Sequence, residues 1–310
     1  MNTILFDEWG RLRSGWRFAL FALMFFFAAT LLGMIASSLT YGLGYSQKSA
    51  PAASIVVNAS VGLAAAILTG WACGVFLDRV PFRALGASPA KGWLKDLGAG
   101  IVIGALAVCV AVLAGMSFGG LGFELNTEAG GAAIARSSGI SLMIFTIGAA
   151  FEEALVRGYI FQTFVRSNLA WVAILLTSLI FASGHIGNPE STYFSFVNTA
   201  LAGVLLGAAY LKTRTLWLPF GLHFAWNFAL GAVFGIEVSG LTDLAASPIL
   251  KEFDAGPVWL TGGKYGLEGG LACTVALILA TAAVWYAPFL KADEEMVKLS
   301  SPPVDTEEED

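Results

Sequence analysis

Charge is what this sequence has least of. Only 13% of its 310 residues are Asp, Glu, Lys or Arg, about half the share a soluble domain carries. Hydrophobic residues make up 57%, and the mean hydropathy is +0.75. These proportions exclude an ordinary soluble fold and read as a polytopic membrane protein. The net charge of −5 is a poor guide, because much of the acid sits in the C-terminal stretch from Asp293 on. That stretch reads as a solvated, disordered end. Basic blocks are missing, so nothing points to a nucleic-acid partner. The three cysteines, Cys73, Cys109 and Cys273, lie in apolar runs. They are expected to pack as small buried hydrophobes, with no disulfide framework. Histidine is scarcer still, with two in the chain. There is no internal repeat.

Apolar runs are what the sequence has in quantity. A run of about 18 residues can cross a bilayer as a helix. Eight candidates cover residues 15–44, 53–77, 97–118, 139–163, 169–187, 193–211, 216–236 and 265–289. The first is longer than the apolar part of a signal peptide, and further spans follow it, so an uncleaved anchor is expected. The positive-inside rule then orients the chain. With the N-terminus cytoplasmic, the inner segments hold Arg11, Arg13, Arg17, Arg79, Arg83, Lys91, Lys95, Arg166, Lys212, Arg214, Lys291 and Lys298. The outer loops hold only Lys48, Arg136, Lys251 and Lys264. The expected architecture is all-α, with about eight transmembrane helices over residues 1–290 and both termini cytoplasmic. Residues 291–310 form the acidic tail. The expected home is a bacterial plasma membrane. Residues 237–264 read as an irregular outer cap, and TGGKYGLEGG, 261–270, as a turn with no chemistry of its own.

Ionisable groups inside a membrane are costly, so those that occur are candidates for function. GISLMIFTIGAAFEEALVRGYIFQT, residues 139–163, carries Glu152, Glu153 and Arg157. Glu153 and Arg157 are spaced i, i+4 and can pair within the helix. Glu152 points about 100° away and is left free to act as a general base. His185 closes LIFASGHI, with Phe181 one turn before it. Asn227 follows His223 by four residues, which puts both on one helix face. Taken singly, each has a plainer reading: a structural ion pair, hydrogen-bonded packing histidines, an asparagine that glues helices. Together they suffice for amide hydrolysis. The glutamate activates water, the imidazoles position it or donate to the developing oxyanion, and the asparagine amide is a second donor.

Glu152-Glu153-Ala-Leu-Val-Arg157 reads as EExxxR, Phe181-Ala-Ser-Gly-His185 as FxxxH and His223-Phe-Ala-Trp-Asn227 as HxxxN. In this order, over about 139–230, the sequence resembles the CPBP family of intramembrane proteases. That family includes the CAAX prenyl endopeptidase Rce1 and bacteriocin-processing or immunity relatives. The resemblance implies an eight-span fold around a conical cavity. Glu152 would be the catalytic base and His185 would help it hold water. His223 and Asn227 would form the oxyanion hole, Glu153 and Arg157 a structural pair, and Phe181 packing. No metal or other cofactor is implied. The substrate would be a peptide or protein, with membrane-anchored or prenylated ones among the candidates. Three alternatives stand beside this reading. A glutamate and two histidines could hold catalytic zinc, although the HExxH helix is missing. Intramembrane Glu, His and Arg also build proton relays in transporters, which often carry inverted repeats. A scaffold or immunity protein of the same fold needs no catalysis. Counting helix rise from Arg166 puts Glu152 roughly 20 Å away and His185 roughly 28 Å away, both in the outer half of the bilayer.

Overall fold

A computed structural model describes residues 4–42, 50–242 and 244–302. Lys48, the last two residues assigned to the first span, and tail residues 303–310 lie outside that set. The apolar runs fold as helices, the form in which a chain surrounded by lipid satisfies every backbone group internally. The long helices are α1 (Ser14–Gly42), α2 (Pro51–Cys73), α3 (Trp93–Gly119) and α4 (Gly130–Glu153). After Glu153 the chain widens into a π turn, Ala154–Ile160, and returns to α geometry at Phe161–Val165. Next come α5 (Ala170–Ser183), α6 (Tyr193–Thr213), α7 (Trp217–Phe228) and α8 (Leu271–Tyr286).

By length and composition, five helices can cross a membrane: Ser14–Gly42, Pro51–Asp78, Trp93–Phe118, Gly130–Val165 and Tyr193–Thr213. These five do not by themselves confirm the expected count of about eight. Helices α5 and α8 are apolar but short, and α7 is prolonged only by a π turn, Ala229–Phe234. The breakers explain these lengths. Gly184, Gly187 and Pro189 end α5, and the glycine-rich stretch 262–270 delays α8 to Leu271.

The two ends of the bundle differ in character. At one end Arg17 and Arg166 are buried against Asp78, and Ser167 Oγ accepts from Arg17 at 2.8 Å. Lys95 and Lys212 donate there to the carbonyls of Phe289 and Trp285 at 2.6 and 2.7 Å. Both described termini lie at this arginine-rich end. Within the C-terminal stretch expected to be disordered from residue 291, residues Glu294–Ser300 form helix α9. Asp293 caps it by accepting from the Glu295 amide at 3.0 Å. Met296 and Ser300 are buried, and Glu295 pairs with Arg83. At the opposite end the structure adds a small sheet to the expected all-α fold. Strand β1 (Leu121–Leu125) runs antiparallel to β2 (Leu250–Asp254), with Leu121 opposite Asp254 and Leu125 opposite Leu250.

Helices α3 and α7 cross at very short range. Gly100 and Gly104, spaced i, i+4 on α3, let the backbone of α7 come close. A Cβ at Gly104 would lie 2.4 Å from the Leu222 carbonyl oxygen, and one at Gly100 the same distance from that of Leu218. Small residues at such crossings are how helices gain contact where apolar lipid removes the hydrophobic drive. Leu222 immediately precedes His223, so this contact fixes where that imidazole starts.

Candidate active site

The EExxxR segment lies at the junction of α4 and its π turn. Such wide turns concentrate at functional sites, because the extra residue redirects side chains. Gly158 carries the distortion, with ψ of −117° inside an otherwise helical run. Arg157 is fully buried. It donates through Nη1 to Glu153 Oε1 at 3.1 Å and through Nη2 to the Gly203 carbonyl at 3.2 Å. Its guanidinium also lies over the Phe181 ring, 4.8 Å from the centroid. Glu153 is buried too, and it has a second partner: His223 Nδ1 lies 2.9 Å from the same Oε1. Glu153 is thus more than the counter-ion that its spacing suggests. It joins the arginine of one helix to the histidine of another.

The tautomers of both histidines follow from their partners. Glu153 is a carboxylate already paired with a guanidinium, so it can only accept, and His223 Nδ1 carries the proton. Nε2 then points the other way, 3.6 Å from Glu152 Oε2. Two adjacent glutamates therefore address opposite nitrogens of one imidazole. His185 is placed differently from expectation. Helix α5 stops at Ser183, and His185 sits in the turn after it. Its Nδ1 lies 2.8 Å from the Phe181 carbonyl oxygen. That oxygen also only accepts, so Nδ1 again carries the proton and Nε2 is left bare. The Phe181 ring packs against both imidazoles, with centroids 4.9 Å from His185 and 5.8 Å from His223.

Glu152, Phe181, His185, His223 and Asn227 all line one cavity of about 340 Å³. Residues from three separate helices and a turn thus converge on the same space. Glu153 and Arg157 lie behind its wall. The Asn227 amide makes no hydrogen bond to any described residue, so its donors are free to meet a ligand. Six further polar residues line the cavity without being evident in the sequence, Asn188, Asn198 and Thr199 among them. Asn58 on α2 faces the cavity, as does Ser239 in the cap, and so does Glu268 from TGGKYGLEGG. Glu268 Oε1 accepts from Trp226 Nε1 at 2.9 Å, while Oε2 accepts from the Ser239 amide at 2.5 Å and its hydroxyl at 3.0 Å. The only sequence signal for Glu268 is a charge just before an apolar helix. Among the described residues, no three His, Cys, Asp or Glu side chains are arranged to hold a metal ion.

A comparison with the curated proteins gives no match. Against family models, residues 135–229 match the one described as type II CAAX prenyl endopeptidase Rce1-like. The match covers less than half of the chain, and it takes in Glu152, Phe181, His185, His223 and Asn227. Over that stretch the chain is similar to the Rce1-like family, whose description is that of a prenyl endopeptidase.

Proposed function

We propose that the Rce1-like domain hydrolyses a peptide bond within the membrane by general-base chemistry, with Glu152 as the base and no metal. The observation that carries this reading is the placement of Glu152, both imidazoles and the unengaged Asn227 amide around one cavity. Glu152 takes a proton from water, and the hydroxide attacks the substrate carbonyl carbon. The bare Nε2 of His185 accepts a hydrogen bond from the water's second O–H, which stays on the oxygen, and so fixes the water's orientation. The tetrahedral oxyanion receives an N–H from Asn227 and one from His223 Nε2. This requires His223 to carry a proton on each nitrogen, one given to Glu153 and the other to the oxyanion. When the C–N bond breaks, Glu152 returns its proton to the leaving amine. Preorganised donors of this kind act strongly because they need no rearrangement as charge develops.

The bilayer is the working environment. The arginine-rich end carries the positive-inside signal, so on this reading it faces the cytoplasm. The test compares membrane-released peptides from cells carrying the wild-type chain with those from cells carrying Glu152→Gln. Peptides that appear only with the wild type support the reading. Identical peptide sets at equal protein abundance defeat it. Activity should also survive dialysis against a strong chelator, and its loss, restored by zinc, would favour a metal-dependent hydrolase.

A further inference from the structure

We propose that Glu268 makes the cavity select substrates with a basic residue close to the bond that is cut, an inference that rests on the endopeptidase reading. The cavity holds two carboxylates, Glu152 and Glu268. Among its described lining residues there is no lysine or arginine, and His223, the one cation the mechanism needs there, is already engaged by Glu153 and Glu152. Much of the remaining wall is apolar, including Ile144, Phe145 and Leu206. Glu153 has Arg157 to neutralise it, whereas Glu268 is held only by uncharged donors, the Trp226 indole and Ser239. Those three bonds fill about three of the four lone-pair directions of a carboxylate and leave one for a ligand. A charge held among apolar groups without a counter-ion is costly. A cation arriving there meets a stronger attraction than it would in water.

The position indicates where the basic residue falls. Trp226 lies next to Asn227 and three residues after His223, the two oxyanion donors on α7. Its indole bonds Glu268 directly, and Trp226, His223, Asn227 and Glu268 all line the one cavity, so the carboxylate faces the space in which the scissile carbonyl is held. An extended peptide advances about 3.3 Å per residue. A lysine or arginine within about two positions of the cleaved bond therefore reaches it. A plainer role for Glu268 is to staple the 261–270 segment to α7, and charge separates the two roles.

The experiment measures binding, so it does not depend on turnover. Full-length Glu152→Gln protein in lipid discs is titrated with two fluorescent apolar peptides, identical except for lysine or norleucine at one central position. The lysine probe should bind about tenfold more tightly. Adding Glu268→Gln should bring the ratio to about one. Trp226→Phe removes the staple's indole but keeps the carboxylate, so the lysine preference should persist. Equal affinity for the two probes, or no measurable binding of either, overturns the proposal. So does a preference erased as fully by Trp226→Phe as by Glu268→Gln. A wild-type chain that shows the lysine preference but never hydrolyses a peptide would count against the endopeptidase reading alone.

Discussion

His223 lies between the carboxylates of two adjacent residues, and removing each has a different consequence. Glu153→Gln strands the buried Arg157 and loosens His223 at once. Breaking a buried pair costs about 3–5 kcal/mol, so this variant should melt well below the wild type and lose activity with its fold. Glu152→Gln leaves the Glu153–Arg157 pair intact and should melt at the wild-type temperature or above while cleaving nothing. Melting curves and cleavage assays on both variants in lipid discs check this, and the reverse pattern would exchange their roles. Asn227→Ala removes a donor that makes no other bond. It should cut turnover about 100- to 1000-fold at unchanged membrane abundance, and near-normal cleavage would remove Asn227 from the site. Much of this constellation is legible in the spacing. Glu153 and Arg157 are one turn apart, as are His223 and Asn227, and helix geometry alone puts such pairs on a common face. The Glu153–His223 bond is not legible there, because it joins helices 70 residues apart in the chain. Glu268 is hidden for the same reason, since its partners Trp226 and Ser239 come from α7 and the cap.

The α3–α7 crossing is where a backbone contact governs the position of a side chain. Gly104→Leu would drive a side chain into the Leu222 carbonyl, and overpacking of this kind costs about 1–3 kcal/mol. It should lower the melting temperature and reduce activity further, through displacement of His223. Gly98→Ala, on the same helix but facing open space, should be neutral or slightly stabilising. Equal melting temperatures for the two variants would refute the crossing as drawn. The sheet carries a different prediction. Burial, with Glu237 and Asp254 nearby, raises the Glu252 carboxyl to about 7 from an ordinary 4.5. A raised carboxyl contributes stability that is complete below the unfolded value and lost as pH rises through the folded one. Amide exchange in Leu121–Leu125 and Leu250–Asp254 should therefore quicken, relative to its intrinsic rate, between pH 5 and pH 8. Glu252→Gln should flatten that dependence. Neither the sheet nor α9 is legible in the sequence. The segment LGFEL is short and pairs with one 125 to 133 residues later, and an acidic stretch gives no sign that Met296 has a pocket to fill.

For the whole molecule, the chain brings its described termini to the arginine-rich end and turns His185, Asn188, Ser239 and Glu268 toward the sheet end. Composition alone announces a membrane protein, but it does not separate full crossings from the shorter helices α5 and α8, because hydropathy does not report where a turn interrupts a run. With the arginine-rich end cytoplasmic, a cysteine at Ile186 in a chain freed of Cys73, Cys109 and Cys273 should react with impermeant thiol reagents added outside. Reaction only from the cytoplasm would invert the orientation. The wide turn at Ala154–Ile160 has a consequence for how this sequence can vary in length. It holds one residue more than a regular helix would, and each residue of an α-helix turns the chain by about 100°. Deleting one residue there would let the helix close into ordinary α geometry with Phe161–Val165 still in register, so the change would fall on where the side chains of the turn and of Glu152 and Glu153 point. A single-residue deletion series along Gly130–Val165 should therefore keep the fold best between Ala154 and Ile160 while abolishing activity, whereas a deletion in the regular turns of α4 rotates all that follows by about 100° and should lower membrane abundance as well. The number of residues in that turn is as much a part of the site as their identity.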